Sequence, residues 1–142
     1  TRSYSSAASD VYKRQRYVSV DDVGNTVNPM IVHGQVQGGI ASGLGQAVLE
    51  RTEYDASGQL LSGSYMDYAL PRADDMPSLS GSLFEKAPCL TNPLGAKGTG
   101  EIGAVAGPPA IVHAVIDALA EKGITQVDMP LQPQKIWECL NR

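Results

Sequence analysis

Aromatic side chains and cysteines are scarce in this sequence, with one Phe, one Trp and two Cys in 142 residues. Cys89 and Cys139 cannot build a disulfide framework, a four-cysteine zinc site or an iron–sulfur site. A reduced, cytoplasmic chain is the expectation this leaves. Apolar runs are interrupted by Gly, Pro or charge, so no transmembrane span is expected. No basic stretch followed by an apolar one marks a signal peptide. Positive charge is in short supply too, since Lys+Arg 11 against Asp+Glu 15 gives a net −4. Without a basic patch, neither nucleic acid nor an anionic membrane is an expected partner. No Ser stands in a G-x-S-x-G elbow. His33 and His113 share no ligand spacing, so no residue is assigned to a metal.

Glycine and proline, in contrast, are abundant at 15 and 9. Such glycine content outside a low-complexity repeat signals close backbone approach, either between helices or toward a ligand. Residues 1–15 have no apolar period, and Ser5 to Gln15 (SSAASDVYKRQ) resembles the translation of a sequencing adaptor. They are expected to be a disordered artefact, leaving one domain over residues 16–142 whose own N-terminus is missing.

Tyr17–Val20 reads as a strand and residues 21–25 as a turn. Asn28-Pro29 opens a helix through about Glu50, with Asn28 as N-cap. Gly34, Gly38, Gly39, Gly43 and Gly45 fall inside it, each costing about 1 kcal/mol relative to Ala. Tertiary contact must repay that cost, and Gly34 and Gly38 are expected to lie against other backbone. Thr52–Tyr54 and Leu60-Leu61 flank a hairpin turn. Residues 71–82 read as surface loop, Leu83–Lys86 as a strand, and 87–109 as a long glycine- and proline-punctuated loop. Pro109–Lys122 is predicted as a helix ending at Gly123. Thr125–Met129 is a candidate strand. Pro133–Leu140 is a last helix burying Ile136, Trp137 and Leu140. The fold class is α+β, mixed strands and helices with a glycine-rich helix.

Gly98-Thr-Gly100-Glu-Ile-Gly103 matches G-x-G-x-x-G, but no strand leads into it and Pro108-Pro109 follows closely, so a dinucleotide fold is not supported. Gly95, Gly98 and Gly100 can present successive backbone N–H groups to an anion or oxo group. Glu101 follows them. Among small and apolar neighbours its carboxylate would be desolvated, which suits general-base work; a surface glutamate in a flexible loop is the plain alternative. Gln35 and Gln37 can each donate and accept, as reading a pterin or purine edge requires; a solvent-facing pair explains them equally well.

Four segments together resemble one family. They are Val20-Asp-Asp-Val-Gly-Asn-Thr-Val-Asn-Pro29, Gly34-Gln-Val-Gln-Gly38, Tyr65-Met-Asp-Tyr-Ala-Leu-Pro71 and Asn92-Pro-Leu-Gly-Ala-Lys-Gly-Thr-Gly-Glu101. In order and spacing they resemble the C-terminal part of the large subunit of molybdenum hydroxylases, the xanthine dehydrogenase family, of the aerobic carbon monoxide dehydrogenase type. The resemblance implies a C-terminal fragment of a molybdopterin-binding domain. It implies a molybdenum–molybdopterin cofactor, in its cytosine dinucleotide form. By the same resemblance Glu101 is the catalytic base for the metal-bound hydroxyl, and Gln35 hydrogen-bonds the cofactor. Lys97, Gly98, Thr99 and Gly100 form the loop that approaches it. The activity implied is hydroxylation or oxidation of a small-molecule substrate such as carbon monoxide, a purine, an aldehyde or an N-heterocycle, with water as oxygen source. Electrons would pass to an iron–sulfur small subunit and an FAD medium subunit, in a dimer of heterotrimers. Neither Cys89 nor Cys139 matches a copper ligand of that family. Alone, the chain is expected to be inactive. The competing expectation is a non-catalytic α+β binding or scaffold module.

Overall fold

The computed structural model describes residues 16–141; the adaptor-like segment, residues 1–15, lies outside them. Strand β1 (Arg16–Asp22) pairs in parallel with β2 (Ser78–Phe84), from Arg16 opposite Ser78 to Asp22 opposite Phe84. A parallel pair needs a crossover, and helix α1 (Pro29–Val48) lies within it. Helix α2 (Ile102–Leu119) crosses α1, and α3 (Pro133–Leu140) follows. Short 3-10 turns sit at Ala73–Asp75 and Ala120–Lys122. The result is an α+β unit.

Asn28 caps α1 as its residue type predicts, its side chain accepting from the Ile31 N–H at 3.2 Å, with Pro29 at the first helical position. The buried stripe of α1 serves two clusters. Val32, Val36 and Ile40 pack with Val23 beneath the sheet residues Tyr17, Leu79 and Leu83. Leu44, Ala47 and Val48 join Ile111, Val115 and Leu119 of α2, with Val127, Leu131 and Ile136 closing that core.

Where α1 meets α2, glycine faces glycine. An added Cβ at Gly39 would lie 2.7 Å from the Ala104 nitrogen, and one at Gly43 2.8 Å from Pro108. A Cβ at Gly103 would run into the Val36 carbonyl. Gly34 and Gly38, expected at this contact, have nothing within 4 Å. Helical spacing places them on the exposed face, while Gly39 and Gly43 take the packed one.

Other expectations are corrected as well. Helix α2 starts at Ile102 and runs through Pro108 and Pro109. Two prolines inside a helix remove two N–H donors and clash with the preceding turn, at about 3 kcal/mol or more each; here the crossing with α1 outweighs that. With its 3-10 extension to Lys122, α2 is 21 residues long and apolar enough to cross a bilayer by length and composition. Its stripe of Gly103, Gly107, Ile111, Val115 and Leu119 is packed against the protein instead. The surface loop expected over 71–82 contains most of β2, whose Ser-Leu-Ser-Gly-Ser run carries little β-forming signal. Residues 125–129 form no strand. Trp137 is 61% exposed while Ile136 is fully buried, because adjacent helix positions point to different faces. Gly123, at φ 75°, ends the α2 segment as expected.

Candidate functional site

Glu101 is the N-cap of α2, and its side chain makes no capping hydrogen bond. The carboxylate is therefore left for other work. With Gly98, Gly100, Ile102 and Val105 it lines a concavity of about 560 Å³ open to solvent. Added Cβ atoms at Gly98 and Gly100 would meet nothing within 4 Å. The desolvation expected of Glu101 is not found, and the residue is exposed. Loop glycines have no side chains with which to cover it.

Two fastenings hold this loop. Downstream, Gly103 lies against α1 between Val36 and Ile40. This crossing carries the start of α2 to the part of α1 that bears Gln35 and Gln37. Both glutamines are exposed, as are Gly34 and Gly38 beside them. Gln35 does not line the concavity with Glu101.

Upstream, the loop is fastened to the turn after β1. The Lys97 N–H donates to the Val23 carbonyl at 2.9 Å, and the Asn25 N–H donates to the Gly95 carbonyl at 2.9 Å. The Asn25 side chain donates to the Leu94 carbonyl at 2.9 Å. Gly24 and Gly95 meet here with φ of 61° and 68°, a left-handed backbone that disfavours side chains. A Cβ on Gly24 would strike the Gly95 carbonyl, and one on Gly95 would lie 2.6 Å from the Asn25 amide nitrogen. Lys97 Nζ reaches Asp22 at 2.7 Å. That bond and the Gly24 N–H hold the Asp22 carboxyl below its ordinary range. Asn92 braces the loop from within, donating to the Ala96 carbonyl at 2.9 Å.

Of the residues singled out in the sequence, Gly98, Gly100 and Glu101 thus come together around one concavity. Thr99 is half-buried beside it, and Lys97 turns to Asp22. Asp22, Asn25 and Asn92 were missed as loop-holding residues. Only Asn25 carried a local signal, an Asn beside a glycine that needs positive φ.

The bare backbone of Gly98 and Gly100 is what a bulky anionic group needs for close approach. The uncapped start of α2 adds unpaired N–H groups and the positive end of the helix dipole.

A family profile described as molybdopterin cofactor-binding domain matches residues 9–77. The carbon monoxide dehydrogenase large chain of Hydrogenophaga pseudoflava is 38% identical over 128 residues, covering 90% of this chain and 16% of that protein. The chain belongs to the molybdenum hydroxylase family. The nicotine 6-hydroxylase large subunit of Paenarthrobacter nicotinovorans is 36% identical over 124 residues, covering 87% of this chain and 15% of that protein. Quinoline 2-oxidoreductase from Pseudomonas putida 86 superposes with a TM-score of 0.85 at 38% identity, covering 90% of this chain and 16% of that one. The chain therefore spans about a sixth of the length of these molybdenum hydroxylase relatives. A molybdenum cofactor suits the residues present, because the backbone at Gly98 and Gly100 faces open space that no side chain occupies.

Proposed function

We propose that this chain is part of the catalytic large subunit of a molybdenum-dependent oxidoreductase, contributing the loop that places a general base beside the cofactor. The observation carrying this reading is the concavity at Gly98, Gly100 and Glu101. It joins an uncommitted carboxylate to open backbone at a helix N-terminus.

When bound, the molybdenum–molybdopterin group, in its cytosine dinucleotide form, supplies the two-electron redox chemistry and activates water as the oxygen source. Glu101 accepts a proton at its carboxylate as the substrate carbon is attacked. Gly98 and Gly100 let the backbone approach the cofactor, with Thr99 between them. Gln35, exposed on α1, offers an amide that donates and accepts toward it. Lys97 shapes the loop through its contact with Asp22. Water exclusion around Glu101 falls to the cofactor and to the rest of the subunit, since this chain leaves it open.

The whole enzyme hydroxylates or oxidises a small molecule. Its electrons leave through an iron–sulfur small subunit and an FAD medium subunit, in a cytoplasmic dimer of heterotrimers. Relatives named for carbon monoxide, nicotine and quinoline match this region about equally well. That equality supports a region that serves the shared cofactor, with substrate choice made elsewhere in the subunit.

Glu101→Gln in the complete, cofactor-loaded subunit tests the reading. Molybdenum and pterin content should stay near that of the parent while turnover falls by about two orders of magnitude or more. Near-parental turnover with full cofactor would make Glu101 structural.

A further inference from the structure

We propose that the turn after β1 is a positioning device for Glu101, with Asp22 and Lys97 as its adjustable part. The inference rests on the reading of Glu101 as the base and extends it to residues that do not line the concavity.

The loop is held at two points and free between them. At one end, Gly24, Asn25, Gly95 and Lys97 interlock through the three backbone and side-chain hydrogen bonds described above. Gly95 is buried, and Val23, which accepts from Lys97, is 1% exposed. At the other end, Gly103 is locked against Val36 and Ile40. Between these points Gly98 and Gly100 have no neighbour within 4 Å of an added Cβ. Apart from Thr99, half-buried between them, no side-chain packing fixes the path of the chain there. The place of Glu101 is therefore set by where the two ends are held, as a span is set by its supports.

The Lys97 side chain is the last group before the free span. It bonds back to Asp22 at 2.7 Å rather than reaching toward the concavity. Asp22 Oδ1 meanwhile accepts from the Gly24 N–H at 3.1 Å. One carboxylate thus ties the turn to itself with one oxygen and ties the loop to the turn with the other. Exposed ion pairs add little to global stability, so this pair's effect should be local. Misplacing a reacting group by about 1 Å can cost about 100-fold in rate, so a small slack in this fastening is enough to matter.

The test uses Lys97→Met, which keeps the stem and removes the charge, and Asp22→Asn, which keeps the shape, in the complete cofactor-loaded subunit. Hydrogen exchange is followed at residues 98–101, and turnover is measured in the parent and in the Glu101→Gln background. The expected result is faster exchange at 98–101, unchanged exchange in α1, and unchanged molybdenum content. Turnover should fall about tenfold in the parent but change by less than about twofold on top of Glu101→Gln, since a residue acting through Glu101 has nothing further to lose. Lys97→Arg should restore most of the activity. Unchanged exchange, an equal fall in both backgrounds, or loss of molybdenum would each overturn the proposal, the last by making Lys97 a cofactor ligand. If Glu101→Gln itself left turnover intact, the functional reading would fail, while the exchange measurement would still decide whether the turn holds the loop. Asp22→Asn reports the same fastening from the other side should Lys97→Met fail to fold.

Discussion

At Gly39, Gly43, Gly103 and Gly107 an added Cβ would press on the facing helix, whereas at Gly34, Gly38, Gly98 and Gly100 it would meet nothing within 4 Å. One residue type thus has two uses a few positions apart. In the first set the missing side chain brings two helix axes together, and the gain is stability. In the second it leaves backbone uncovered, which in a helix interior is a loss of about 1 kcal/mol relative to Ala. On the proposed function, that uncovered backbone is where the cofactor is met.

The sharpest way to break this contrast is at the crossing. Gly103→Ala drives a methyl group into the Val36 carbonyl and toward the Ile40 nitrogen. Both are helix backbone and cannot swing aside. A loss of about 3 kcal/mol is expected, read as a lower denaturation midpoint of the cofactor-free subunit. A neutral result would show that the helices do not approach this closely.

Gly38→Ala should have the opposite sign. With no neighbour to strike, the methyl group removes backbone entropy from the unfolded chain and raises stability by about 0.5–1 kcal/mol. The same substitution should lower molybdenum content if the open face serves the cofactor. Destabilisation as large as that of Gly103→Ala would erase the distinction between the two sets.

The smallest effect expected is on pH. In the folded state Lys97 and the Gly24 N–H hold the Asp22 carboxyl pKa below its ordinary value. A lowered carboxyl value means that its contribution is complete above the ordinary aspartate value of about 3.9. It is lost as pH falls through the lower folded value. Exchange at the Lys97 and Gly24 amides should therefore quicken only below about pH 4, with Asp22→Asn removing that dependence. The helix crossing, built from glycine, backbone and Pro108, should be unmoved over the same range.

Much of the helical framework was legible because caps are local chemistry. Asn28-Pro29, Gly123 and Pro133 each announced a boundary through hydrogen bonding or backbone freedom that needs no distant partner. The start of α2 was not legible. Pro108-Pro109 reads as a break on local grounds, yet the helix runs through it where its glycines meet α1. Strand β2 was hidden for a related reason. Its serines and glycine form a strand because β1 lies alongside, not because of their own preference. At the site, Glu101 and its glycines could be found as a motif in one stretch of chain. The turn that fastens them could not, since Asp22 and Asn25 come close to Lys97 and Leu94 only after folding. For the same reason, exposed Gly38 and packed Gly39 are alike in the sequence and separate only on the helix surface.

The fastening of Lys97 to Asp22 joins residues 75 apart, and that of Asn25 to Leu94 joins residues 69 apart. Everything between them is, in chain terms, a closed loop. The entropy of closing such a loop grows only with the logarithm of its length, about 0.6 kcal/mol for each doubling. The stretch from Arg51 to Leu61 lies within it, exposed throughout, and is turned by Asp55, whose side chain accepts from the Ser57 and Gln59 N–H groups. Length can therefore be added or removed at that tip with almost no thermodynamic penalty at Glu101. The exposed outer tip can thus take insertions while the loop beside the concavity stays fastened at its ends.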